Sequence, residues 1–408
     1  ILEFHFQFIV KIVSFLLLML AITPILKIKK FYRLFKFSYD KNKFHIYLII
    51  FLFFLLFLIS ASPITHVDTL DYHFFGALNL LNNGHFYKEI TPMHLNLVSI
   101  GEIIIAIGLS LKAEQFGGIV QFISLFSLIP FFISKKINSN FLILILICPV
   151  TFFLVSSPKP QLLFCISTFL IFIFLFEKAK SLKIYQLKII FPLIILILSI
   201  NSLTKYSFFL SSLLLGIYFL SIMIKRKLFI FSIISILVIF SITFLPNWLF
   251  RYENFDTQFF DLIRSPVPIN IYGYDSLHSL LSGGSIKISG IFFPNSINEF
   301  STSYGPLLIL LPFMINKKIL NQKIPILIIF LFIIFVLIFG SNLPRFLFEG
   351  YIWLIYLISK NFQKTSLSFK FFSKLIYLQI IIIIPIYLFY IINLFPGSIN
   401  QKLKNLVL

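Results

Sequence analysis

The sequence predicts an all-α polytopic membrane protein, and three observations carry that prediction. The chain has a mean hydropathy of +1.01 over 408 residues, with 59% hydrophobic and only 12% charged residues, a balance outside the range of soluble domains. Its apolar runs recur at or near the roughly 20 residues a helix needs to cross a ~30 Å hydrocarbon layer. They are continuous rather than alternating, which excludes the strands of a membrane β-barrel. Finally, the charges are sorted by segment. Of 34 Lys and Arg residues, 23 fall in 27–43, 135–136, 177–188, 225–227, 316–323 and 360–374, whereas eight of the 14 acids fall in 61–92 and 247–303. This is the positive-inside pattern, with the basic segments cytoplasmic and the two acid-bearing segments on the outer face. It also explains the net charge of +20 without nucleic acid as a partner.

About 12 crossings follow, near 6–26, 44–60, 116–134, 140–156, 161–176, 189–204, 206–224, 228–246, 304–315, 324–340, 346–359 and 375–394. They form one integral-membrane domain over 1–408. Residues 1–26 are hydrophobic enough for a signal peptide, but they lack a small-residue cleavage site and run into a basic segment, so they are expected to be a retained span. Residues 93–111 are apolar too. A crossing there would invert every later basic segment, and Glu102 sits in the middle, so this stretch is expected to lie along the membrane surface. The outer face then carries a first loop with surface helices (61–115), a second large loop after Pro246 (247–303), and short connections at 157–160 and 341–345. Cys148 and Cys165 lie in apolar runs, so no disulfide framework ties the outer loops.

The chemistry-bearing residues belong to the outer face. In Pro63-Ile-Thr-His66-Val-Asp68-Thr69-Leu-Asp71-Tyr72-His73, two acids and two histidines follow a long apolar run. Asp68 and Asp71 share one face if the segment is helical, and Asn82-Asn83-Gly84 reads as that helix's stop. An acid just outside the bilayer can act as a general base or hold a cation; equally, it can cap a surface helix. Lys159, Lys205, Arg251 and Arg345 are cations on a side where cations are scarce. A shared anionic target such as a lipid-linked phosphate would account for them. Snorkelling to lipid headgroups explains any one of them, and for Lys159 it is the preferred reading. His66, His73, His85 and His94 stand near Asp68, Asp71 and Glu89 at spacings of no recognised ligand pattern. No cofactor is expected, although a divalent metal stays open.

The order of these features resembles the GT-C superfamily of membrane glycosyltransferases, which includes protein O-mannosyltransferases and aminoarabinose transferases. Asp68-Thr69-Leu70-Asp71-Tyr72, with Ala77 and Gly84 downstream, is similar to the acidic motif of the first outer loop, with Thr69 where the family has a second acid. Leu203-Thr-Lys205-Tyr206, Pro246-Asn-Trp248-Leu-Phe-Arg251-Tyr252 and Pro344-Arg345-Phe346 resemble later segments in the same order. The resemblance implies transfer of a sugar from a polyprenyl-phosphate donor to a hydroxyl or amine of a lipid, glycan or protein acceptor. Asp68 would be the general base, with Asp71 beside it. Tyr72, His73, Lys205, Tyr206, Arg251 and Arg345 would bind substrate. The expected location is the bacterial inner membrane, with the site facing outward. A transporter or flippase of lipid-linked saccharide is a rival reading. So is a non-catalytic envelope-assembly protein.

Overall fold

The computed structural model describes residues 43–66, 69–85, 101–135, 137–255, 288–294, 297–339, 343–361 and 367–400. The expected first crossing, Asp68, His94 and much of 247–303 lie outside these residues. The described chain is all-helical, with no strand among the described residues. Its α-helices of eight residues or more are α1 (Lys43–Ser60), α2 (Phe75–Asn83), α3 (Glu102–Ser110), α4 (Phe116–Phe126), α5 (Ser139–Leu146), α6 (Pro149–Ser156), α7 (Leu162–Glu177), α8 (Ile184–Ser202), α9 (Tyr206–Lys225), α10 (Phe229–Phe255), α11 (Lys323–Phe339), α12 (Phe348–Asn361) and α13 (Leu367–Leu394). Among the described residues, five helices are long and apolar enough to cross a membrane, or six if the bent pair α5–α6 forms one broken span. The protein is therefore an all-α membrane protein.

The five long helices coincide with expected crossings at 44–60, 189–204, 206–224, 228–246 and 375–394. Other expectations need correction. The crossing at 140–156 is bent by 57° between α5 and α6, where Pro149 opens the second helix and removes a backbone donor. Residues 304–315 form two 3-10 turns, Pro306–Leu310 and Pro312–Met314, not a spanning α-helix. Pro306 can open a turn, but Pro312 lacks the N–H that a helix continuing through it would need and its ring would clash with the preceding turn, so no regular helix runs through the segment. Pro246 does not open the second outer loop. It sits inside α10, which continues to Phe255, so Arg251 lies on a helix. Glu102 is 1% exposed and begins the nine-residue α3, which packs on α2 through Ala77, Leu80, Leu81, Ile105 and Ala106.

The bundle has two chemically distinct ends. At one, Lys135 and Lys360 (2.9 Å) both donate to the Glu177 carboxylate, as does the Tyr356 hydroxyl. Burial alone would raise the pKa of Glu177, but these donors outweigh it and hold the pKa at about 2. Arg226 donates to the Lys180 carbonyl. His45, near the start of α1, bonds Ser139 at 2.7 Å and Tyr377 at 2.6 Å. The basic segments thus meet at a common end. Helix α7 runs from there to Gln161 at the other, a distance of about 24 Å for 16 residues at 1.5 Å each. That second end holds the candidate site. Between the two ends the core is aromatic: Phe172 stacks on Trp353 at 4.9 Å and Phe152 on Tyr387 at 5.1 Å.

Candidate functional site

The site is built from loops and helix starts at the end of the bundle away from Glu177. The segment after α1 leads into a single π-helical stretch, Thr69–Phe74, continued by α2. Glycine at 84 ends α2 at φ 73° with a bond to the Leu80 carbonyl, a left-handed conformation that a side chain would strain. The helix stop read from Asn82-Asn83-Gly84 is therefore correct. π-Turns widen the backbone and occur often at functional sites. Asp71 and Tyr72 lie in this turn, although their side chains are outside the described residues, as is Asp68 altogether.

Two contacts fix the turn. Its Thr69 hydroxyl lies 3.3 Å from that of Ser157, both buried. Nδ1 of His73 donates to the Glu102 carboxylate on α3, and both side chains are almost wholly buried. Burial is the main reason the His73 pKa is lowered; Lys205 and Lys159 lower it further, while the bond to Glu102 opposes them. His73 is thus held as a neutral imidazole against a carboxylate. Its placement suits positioning of the acid-bearing turn more than contact with substrate.

Three of the four cations expected on the outer face come together beside this turn. Lys159 lies 5.2 Å from the centre of the Phe153 ring, and the Arg345 guanidinium lies 5.4 Å from the same ring. Arg345 is also 5.3 Å from the Phe346 ring, with Lys205 at 5.7 Å from that ring. His66 closes the group with an edge contact to Phe153 at 4.9 Å. Two aromatic rings therefore gather Lys159, Lys205, Arg345 and the start of the acid-bearing segment, which are far apart in sequence. Aromatic faces hold cations in place at modest cost.

Lys159 overturns its snorkelling interpretation. It is fully buried, whereas a snorkelling lysine keeps its ammonium in water. Its loop, Ser157-Pro158-Lys159-Pro160, is seated by glycines. A Cβ on Gly117 would stand 2.7 Å from the Pro158 side chain, and one on Gly101 would collide with Pro160. The prolines stiffen the loop and the glycines let helices α3 and α4 approach it.

Helix starts add to the positive field. Gln161 and Lys205 occupy the residues just before α7 and α9 without capping them through their side chains, and Arg345 occupies the 3-10 turn leading into α12. Helix N-termini carry partial positive charge and unsatisfied N–H groups. Three of them beside three cations form a region suited to a phosphate-sized anion.

Among the expected site residues, His73, Lys205 and Arg345 are brought together. Tyr206 opens α9 next to Lys205, and Arg251 lies on α10; neither side chain is among the described ones. Residues not singled out from sequence complete the surroundings. Glu102 pairs with His73, and Gln161, Ser207 and Glu349 line a narrow crevice with Arg345 and Phe346. Glu349 was discernible as an acid inside an apolar run, which by itself marks a functional candidate in a membrane helix. Among the described residues, no three His, Cys, Asp or Glu side chains are grouped as a metal set.

No curated protein and no solved structure matches the chain. The sequence model of the DUF1420 N-terminal domain matches residues 1–408, the full length given, and the protein belongs to the DUF1420 N-terminal domain family.

Proposed function

We propose that the protein is a membrane glycosyltransferase of GT-C-like architecture. It takes a sugar from a polyprenyl-phosphate carrier and passes it to an acceptor hydroxyl or amine. The observation that carries the proposal is the meeting of Lys159, Lys205 and Arg345 around Phe153 and Phe346, next to the segment that bears Asp68 and Asp71. In this reading the cations and helix N-termini hold the donor phosphate and offset the charge that grows on it as the sugar leaves. Asp68 accepts the proton of the acceptor nucleophile, with Asp71 beside it, and Tyr72 and Tyr206 flank the substrate. The His73–Glu102 pair keeps the turn in register. No cofactor is required.

The architecture that goes with this function is about 12 crossings in a single integral-membrane domain, with the site on the outer face of a bacterial inner membrane. Clustering of the basic segments at the opposite end supports that orientation. Asp68→Asn, in protein that inserts and purifies normally, is expected to slow transfer of labelled sugar from polyprenyl phosphate by about a hundredfold or more, the usual cost of losing a general base. Transfer at the unaltered rate would remove Asp68 from the mechanism. Absence of transfer by the wild type, together with sugar-lipid movement between leaflets, would favour the flippase.

A further inference from the structure

Pro149 alone does not account for the bend between α5 and α6. In an unbroken helix the N–H groups of residues 149, 150 and 151 would serve the carbonyls of Ile145, Leu146 and Ile147. None of them does so here. Pro149 has no N–H, Val150 donates to the Ser303 carbonyl at 3.1 Å, and Thr151 donates to the Cys148 carbonyl at 2.9 Å. Each of the three carbonyls accepts from a side chain instead: Ile145 from the Thr151 hydroxyl at 2.6 Å, Leu146 from the Tyr387 hydroxyl at 2.8 Å, and Ile147 from the Gln379 amide at 3.1 Å. All six residues are buried. Gly305 makes the last bond possible, since a Cβ there would stand 2.6 Å from Nε2 of Gln379.

Buried carbonyls left without donors are costly, so the bend is stable only where these side chains stand. Two of the three donors come from α13, 232 and 241 positions away in sequence. Tyr387 also stacks on Phe152 of α6 at 5.1 Å, and Tyr390 meets the same ring edge-on at 5.1 Å. Helix α13 therefore fixes both the pivot of α6 and the face on which α6 rests. What α6 carries is the candidate site. Phe153, the next residue, is the ring that Lys159, Arg345 and His66 touch, and the helix runs directly into the Ser157-Pro158-Lys159 loop. At 1.5 Å per residue this eight-residue helix is a lever of about 12 Å, so a change of about 10° in the bend moves its far end by about 2 Å. That is enough to carry an ammonium out of hydrogen-bond reach of a bound oxygen.

We infer that Gln379 and Tyr387 of α13 are positioning residues for the anion site: by holding the α5–α6 bend they set where Lys159 stands beside Lys205 and Arg345. The inference rests on the reading of these three cations as one phosphate site and does not require that a sugar be transferred. Gln379 and Tyr387 act on the anion only through α6. Thr151 supplies the local share of the same bend, and the two α13 donors tie it to a helix from the far end of the sequence.

The affinity of the purified full chain for bare undecaprenyl phosphate tests this, measured for Tyr387→Phe with and without Lys159→Gln. Tyr387→Phe keeps the ring that stacks on Phe152 and removes only the hydroxyl. With Lys159 in place it is expected to weaken binding about threefold to tenfold, the worth of one neutral hydrogen bond. With Lys159→Gln already present it should cause no further loss, because a residue that acts through Lys159 has nothing left to position. Gln379→Met removes the other α13 donor at similar volume, should behave in the same way, and serves if the first variant does not fold. Unaltered affinity in these variants, or the same fold loss whether or not Lys159 is present, overturns the positioning role and leaves the phosphate site standing. A wild type that does not bind undecaprenyl phosphate, or a Lys159→Gln variant that binds it as the wild type does, overturns the three-cation site and the positioning role with it.

Discussion

At the residue scale, the features that matter are charges buried with specific neighbours. His73 and Glu102 lie 29 positions apart in sequence and meet across two short helices. The sequence marked His73 as a site residue but gave no sign of its partner, because nothing local to either residue encodes a contact between loops. Lys159 was legible as a cation set apart from the basic segments. Its burial was not, since that depends on two glycines from other helices leaving room for its prolines. The lowered pKa of His73 has a consequence with a definite sign. A histidine neutral in the folded state binds fewer protons than its unfolded counterpart below about pH 6.5, so its contribution to stability is complete above that value and declines as pH falls through it. Thermal unfolding followed at pH 7.5 and pH 5.5 should show a loss of stability on acidification in the wild type and a smaller loss in His73→Gln. Equal pH dependence in the two proteins would contradict the buried neutral imidazole.

At the scale of elements, hydropathy located the long helices well, because α1, α8, α9, α10 and α13 each cross the bundle as a continuous apolar run. It failed where proline broke the backbone without lowering hydropathy. The α5–α6 bend and the turns at 306–314 are both cases. The converse failure is Pro246, which the helix accommodates; a proline within an apolar helix can be tolerated when neighbours satisfy the freed backbone group. The π-turn at Thr69–Phe74 was beyond reach of pattern reading, since the spacing of Asp68 and Asp71 fits an α-helix as well. What fixes the Lys159 loop against the rest is tight packing, and it predicts a sensitive position. Gly117→Ala should destabilise the protein by about 1–3 kcal/mol, the usual cost of overpacking, because its Cβ would meet Pro158 at 2.7 Å. Gly216→Ala, whose Cβ meets nothing within 4 Å, is the matched control and should unfold at or above the wild-type temperature. Equal melting of the two variants would mean the loop yields without cost.

At the scale of the whole molecule, the sorting of charge in the sequence reappears as two ends of one bundle. Lys135, Glu177, Arg226 and Lys360 gather at one end, and Lys159, Lys205 and Arg345 at the other. Segment charge therefore foreshadowed where the basic segments gather, and it set apart four further cations, Lys159, Lys205, Arg251 and Arg345. Three of them converge; Arg251 has no described side chain. The sequence could not show convergence because these residues come from three separate helix starts, brought together only by the packing of α7, α9 and α12. The central claim is that they form one anion site and are not separate contacts with lipid headgroups. A double-mutant cycle on the affinity of the purified protein for bare undecaprenyl phosphate tests this most directly, using Lys205→Gln, Arg345→Gln and the pair. Each single change is expected to weaken binding roughly tenfold to a hundredfold, and the pair should weaken it by much less than the product of the two, because both side chains grip the same phosphate. Unaltered affinity in the single variants, or losses that multiply as independent sites do, would contradict a shared phosphate site.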